Sequence, residues 1–189
     1  LAILEKALPA EHVILAGAYN NLALAYGNLG EHQKALKFNL KALAIWEKTL
    51  PANNPDLALS FHNTGLAYWQ AGEYNNGIEY YQKAVQLGEA LSPKHSYLNY
   101  FYTALGFAYV KTRRFPEAKV ALEKSESLKA DIRVYRGWAM YYALQKKKKL
   151  AVESLKKALA LGFKDLKWLE TEPDLKNIRK EKGYKDLVE

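Results

Sequence analysis

The chain has 189 residues, 49% of them apolar and 25% charged, with a net charge of +8 and no cysteine. That balance allows a buried core and argues against a chain disordered by composition, while disulfides and thiolate chemistry are excluded. No apolar run reaches the roughly 18 residues that span a bilayer, and the lack of cysteine fits a reducing, cytoplasmic setting.

The charge is unevenly spread. Residues 1–91 hold 6 Lys/Arg against 8 Asp/Glu, whereas residues 92–189 hold 22 against 12. A one-sign field of that kind steers acidic partners toward the C-terminal half.

The first stretch, "LAILEKALPAEHVILA" (Leu1 to Ala16), starts with Leu and lacks a basic n-region. It reads as a start inside a longer protein and not as a signal peptide. The same pattern returns 42 residues later as "LAIWEKTLPANNPDLA" (Leu43 to Ala58), so the chain begins in the second helix of a partial repeat, 1–12. Leu1, Ile3 and Leu4 are expected to form an uncapped apolar edge, suited to self-association or to cover by upstream sequence.

"YNNLALAYGNLGEHQKAL" (Tyr19 to Leu36) is followed at the same spacing by "FHNTGLAYWQAGEYNNGI" (Phe61 to Ile78). Asn21 returns as Asn63, Ala25-Tyr26 as Ala67-Tyr68, and Gly30-Glu31 as Gly72-Glu73. A third copy runs from Tyr102 to Ser125 after 41 residues and a fourth from Tyr135 to Ala158 after 33. Each copy reads as two helices; in the first, helix A spans about 15–29 and helix B about 31–50. Gly30 and Gly72 mark the tight corners, where a left-handed backbone costs glycine little; Arg113 and Lys146 stand there in the later copies. "LPANNPD" and "ALSPKH" supply loop punctuation between copies. Ala35/Ala42 recur as Gly77/Ala84, Ala118/Ser125 and Ala151/Ala158, small side chains that let neighbouring helices approach. The last stretch, Leu161 to Glu189, breaks the pattern and offers Trp168, Leu169, Leu175, Ile178, Tyr184 and Leu187 on short helical segments. A terminal helix pair of a repeat array exposes an apolar face that such a segment can cover.

The run Tyr/Phe-x2-Leu-Gly/Ala-x2-Tyr, then Gly, then Ala-x6-Ala, resembles the tetratricopeptide repeat. Its 42-residue period and the Ala42 to Pro51 run are similar to the longer-helix subtype of kinesin light chains and bacterial scaffold proteins. Asn39 departs from it, standing where the family prefers an aromatic. The resemblance implies an all-α fold, a right-handed superhelical solenoid of antiparallel helix pairs. It places the repeat array at 1–162 (the partial repeat and four helix pairs) and a helical cap at 163–189.

No sequence feature speaks for catalysis. The histidines fall one per segment without metal-ligand spacing, there is no phosphate loop, and neither cofactor nor metal is expected. The run "QKKKK" (Gln145 to Lys149) reads first as a solvated corner and second as an anion-binding patch, with nucleic acid an unfavoured partner. An enzyme is not expected.

The resemblance implies instead a concave peptide groove lined by the A helices. Carried over residue by residue, it is formed by Asn20, Asn21, Leu24 and Asn28; His62, Asn63, Leu66, Trp69 and Gln70; Thr103, Phe107 and Lys111; and Arg136 and Met140. An asparagine amide both donates and accepts, so Asn20, Asn21 and Asn63 can hold a peptide backbone whatever its side chains. The alternative is that Asn21 and Asn63 bond a neighbouring helix and fix its register. Trp69, Phe107 and Met140 are expected to bury the ligand's apolar anchor, and Lys111 and Arg136 to favour acidic flanks. The function so implied is a protein-interaction scaffold binding a peptide or partner protein. The alternative is a regulatory or sensor module of a larger signalling protein, switched by a bound peptide or an intramolecular segment.

Overall fold

The structure, a computed structural model, describes residues 2–92 and 97–188; Leu1, residues 93–96, which include the end of "ALSPKH", and Glu189 lie outside the described residues. Among these residues there is no strand. The helices in chain order are α1 (Ala2–Ala7), α2 (Val13–Asn28), α3 (His32–Thr49), α4 (Pro55–Gln70), α5 (Tyr74–Leu91), α6 (Leu98–Lys111), α7 (Phe115–Leu128), α8 (Ile132–Leu144) and α9 (Lys148–Ala160). After them come α10 (Leu166–Thr171), a 3-10 turn (Pro173–Leu175) and α11 (Lys182–Val188). Helices α2/α3, α4/α5 and α8/α9 pack as pairs, and α7 follows α6 in the chain. The chain divides into two compact units, Leu1–Phe101 and Tyr102–Glu189, with the division inside α6. The proposed array-to-cap boundary at 162/163 lies within the second unit.

Helix starts follow local chemistry. Asn54 accepts from the Asp56 backbone N–H at 2.7 Å and is followed by Pro55, whose missing donor costs nothing at a first helical position. Asp131 caps α8, accepting from the N–H groups of Arg133 (2.9 Å) and Val134 (3.1 Å). Its carboxyl is held below the usual value: burial opposes the charge, but the Arg133 side chain and the backbone donors outweigh it. A depressed carboxyl contributes stability above its unfolded pKa and loses it as pH falls through the folded one. Asp131→Ala should thus cost about 1 kcal/mol at pH 7. The gap to wild type should narrow toward pH ~3; urea midpoints at both pH values check this.

All four A–B corners share one hydrogen-bond pattern. Glu31 N–H donates to the Tyr26 carbonyl at 2.9 Å and Gly30 N–H to that of Gly27 at 3.0 Å. The same two bonds join Glu73 to Tyr68 and Gly72 to Trp69, Arg114 to Tyr109 and Arg113 to Val110, and Lys147 to Tyr142 and Lys146 to Ala143. This is the Schellman ending, which needs a left-handed residue. Gly30 and Gly72 supply it with φ of 76° and 85°, and Arg113 and Lys146 adopt it too, at 63° and 61°. The corner is thus kept where its glycine is not.

In the first unit, Leu15, Ala16, Tyr19, Ala42 and Ile45 form a core against which Leu4, Leu8, Phe38 and Trp46 pack. The expected edge is correspondingly narrower: Ile3 is 82% exposed, but Leu4 is half-buried on that core. The small-residue row Ala35/Ala42 and Gly77/Ala84 is buried. Between α4 and α5 it brings backbone to backbone, since a Cβ on Gly77 would lie 3.0 Å from the Gly65 carbonyl oxygen.

In the second unit, Ala118, Ser125, Ala151 and Ala158 continue the row at 0% exposure. Leu169, Leu175 and Ile178 of the C-terminal segment are all at 0% exposure, and Phe163 and Tyr184 are buried as well. That segment is tied down by polar bonds: Tyr184 Oη donates to the Leu169 carbonyl (2.8 Å) and Asn177 Nδ2 to that of Ala143 (2.5 Å).

Candidate functional site

In the first unit the expected groove residues lie on α2 and α4. Asn63 Nδ2 donates to Asn20 Oδ1 at 3.5 Å, so the two amides, 43 residues apart in sequence, meet between neighbouring A helices. Both are half-buried, Asn21 and Asn28 are exposed on α2, and Gln70 is exposed on α4. Leu24 is 49% exposed and Leu66 half-buried. Trp69 is half-buried, its ring 4.6 Å from that of Tyr74. A face results on which amides and apolar side chains alternate. A bond of 3.5 Å is at the long limit, and each amide keeps further donors and acceptors to offer.

His62 does not belong to that face. Although it occupies the row of Asn20, it is 1% exposed and sits among the rings of Tyr100 (4.2 Å), Tyr81 (5.3 Å) and Phe101 (5.4 Å). Those aromatics fill the space around the row in the second copy. Burial and the neighbouring Tyr100 also push the Tyr81 hydroxyl far above its ordinary pKa.

In the second unit the expected residues lie on α6 and α8, and two of them are core. Thr103 is 3% exposed, its hydroxyl 2.7 Å from that of Ser125 on α7. Met140 is 1% exposed, because α8 is covered by α7, α9 and the 3-10 turn. Phe107 is half-buried.

The two cations of the expected groove are met by the chain itself. Lys111 Nζ lies 2.5 Å from Glu172 and 2.8 Å from Asp174, carboxylates about one-tenth exposed. Burial works against its charge, yet the bonds to Asp174 and Glu172 raise its pKa overall. Arg136 stacks its guanidinium over Trp168 (4.1 Å) and Phe163 (5.1 Å). Burial lowers its pKa, with the charges of Asp165 and Glu172 acting in the opposite direction. The expectation that both would be open to acidic flanks of a ligand is corrected accordingly: the residues 163–174 take them. The signal was in the sequence, in the alternating acids of "WLETEPD", but those acids lie 59 residues or more from Lys111 and outside the repeat.

Among the described residues no group of three or more His, Asp or Glu could hold a metal ion, and no helix is long and apolar enough to cross a membrane. Residues 14–90, which carry α2 to α5, match the model of the family described as Tetratricopeptide repeat. That segment is similar to a run of tetratricopeptide repeats. Repeats of this family are scaffolds for protein–protein contact. A comparison with curated protein sequences finds no significant match.

Solved structures extend the likeness in fold. Nearly identical TPR-like repeats attributed to a kinesin light chain of Podosopora anserina share 21% identity at a TM-score of 0.72, over 94% of this chain and 91% of theirs. BtubC (BKLC) from P. vanneervenii shares 19% at 0.70, over 79% and 66%. YrrB, described as a TPR protein with an unusual peptide-binding site, shares 18% at 0.59, over 99% and 85%. The likeness to all three is one of all-α fold.

Proposed function

We propose that the first unit binds an extended peptide along the α2/α4 face. The observation that carries the reading is the pair Asn20–Asn63, two amides meeting from consecutive A helices beside the exposed Leu24. A weakly bonded amide pair is inexpensive to open, and each amide can then take one N–H and one C=O of a peptide backbone. Leu24, Leu66 and Trp69 supply the apolar contacts that anchor a side chain, as a central apolar cluster does in most interfaces. A peptide-binding site in a protein of the same fold, YrrB, is compatible with this use of the scaffold. With Lys111 and Arg136 occupied in the second unit, the ligand is defined by an apolar anchor and not by acidic flanks.

The test is selection of a displayed peptide library on the purified chain, followed by titration of the enriched peptides against Asn20→Ala/Asn63→Ala and against Leu24→Ser. Each variant should bind at least about tenfold more weakly, as for the loss of 1–2 kcal/mol. Unchanged affinity with an unaltered circular dichroism spectrum would remove the face from the reading.

A further inference from the structure

The second unit carries two clefts on either side of the α8–α9 corner, and both are lined with lysine. One, of about 440 Å³, has Lys146, Lys176 and Lys180 around Leu144 and Pro173. The other, of about 300 Å³, has Lys149, Lys156 and Lys182 around Val152. Three acids also line them, and two are already engaged: Asp174 faces Lys111 and Arg113, and Glu181 bonds Lys148 at 2.8 Å. Among the described residues the six lysines just named have no ion-pair partner. Six exposed like charges gathered around two concavities repel one another, and a polyanion relieves that repulsion.

Lys146 adds a second argument. It holds a left-handed backbone, φ 61°, at a corner where two earlier copies use glycine. That conformation is costly for any residue with a Cβ, and strain of this kind clusters at functional sites. The equivalent Arg113 is used, reaching Asp174 at 3.5 Å; Lys146 lines the larger cleft.

We infer that this lysine-lined surface docks an acidic protein segment, a run rich in glutamate or aspartate. The chemistry of the clefts favours that occupant over the other polyanions. Neither cleft presents an aromatic ring on which a base could stack, nor an arginine fork for phosphate. Val152 and Leu144 are buried or half-buried and only Pro173 is exposed, so no apolar face protrudes as a membrane-inserting one must. A glutamate fits: its methylenes cover the apolar lining while its carboxylate reaches an ammonium. The surface is separate from the α2/α4 face and does not depend on the peptide reading above.

The experiment measures a fluorescein-labelled glutamate oligopeptide by anisotropy against the whole chain and against Lys146→Gly/Lys176→Gln/Lys180→Gln/Lys182→Gln. Wild type should bind at low salt and weaken steeply as salt is raised, and the variant should bind at least about tenfold more weakly. Lys146→Gly alone serves as the folding control: its melting temperature should equal or exceed that of wild type, because glycine relieves the corner, while its affinity drops. Asn20→Ala/Asn63→Ala should bind the oligopeptide as wild type does. A single-stranded DNA oligonucleotide and phosphatidylserine vesicles form parallel arms. No binding of the glutamate peptide at low salt, equal binding by the quadruple variant, or tighter binding of DNA or vesicles than of the peptide would each overturn the proposal.

Discussion

Leu122→Ala is expected to lower the unfolding free energy of the second unit by about 3–5 kcal/mol, near the upper end for a buried leucine. The reason is where the side chain goes. Leu122 of α7 is 0% exposed, and its Cδ2 lies where two glycines leave room. A Cβ on Gly106 of α6 would come within 2.9 Å of it, and one on Gly137 of α8 within 2.7 Å. One leucine therefore fills the gap left by two residues without side chains. Its loss leaves a void that neither neighbour can enter without moving a helix, and the cost of such a truncation rises with the cavity that remains. Substitutions at the two positions should not add. Gly137→Ala alone should destabilise, by crowding Leu122, but in the Leu122→Ala background the new methyl occupies part of the void and should restore stability. Urea denaturation of the four proteins gives the coupling energy directly; additivity within about 0.5 kcal/mol would contradict this packing.

The second large effect lies in the first unit. Gly65→Val should destabilise by more than about 3 kcal/mol, combining overpacking with a β-branched side chain in a helix. Already a Cβ at this position would sit 2.8 Å from Tyr81 Cδ1 and 3.0 Å from the Gly77 carbonyl oxygen. Tyr81 is 4% exposed and cannot swing aside, and the carbonyl belongs to helix backbone. Gly65→Ala is the graded version: a helix-propensity gain of about 1 kcal/mol is set against crowding of about 1–3 kcal/mol, so a smaller loss remains. Gly17 is the control of opposite sign. A Cβ there meets nothing within 4 Å, so Gly17→Ala should gain up to about 1 kcal/mol. Thermal melts of the three variants separate a glycine required by packing from one that is merely present.

These cases show how much could be read from the chain. The 42-residue recurrence of Asn21 as Asn63 and of Ala25-Tyr26 as Ala67-Tyr68 places the A helices and their corners, because a repeat that conserves spacing conserves hydrogen-bond geometry. Even Arg113 and Lys146, which replace the expected glycine, make the same turn, since the two backbone bonds of the corner outweigh the cost of a Cβ. Spacing fixes position along a helix, however, and not what surrounds it. Asn20 and His62 hold the same row, yet Asn20 is half-buried and His62 is enclosed by three rings. Two of those rings, Tyr100 and Phe101, lie nearly 40 residues further along the chain. Thr103 and Met140 are core for the same reason: what buries them comes from α7, from α9 and from the residues after 162. Periodicity is a local signal, and the C-terminal segment is the one part of the chain without it.

The pairing of Lys111 with Glu172 and Asp174 bears on how the second unit comes apart. Two carboxylates about one-tenth exposed share an ammonium that is itself one-third exposed, so whichever partner leaves first strands charge in a poorly solvated place. Detaching the segment before α11 is then an all-or-none event and not a progressive fraying. In hydrogen exchange the amides of Leu169 and Leu175 should open together with those at the end of α6, as one cooperative block spanning residues that are distant in sequence. A tail that only covered apolar surface would peel from its free end.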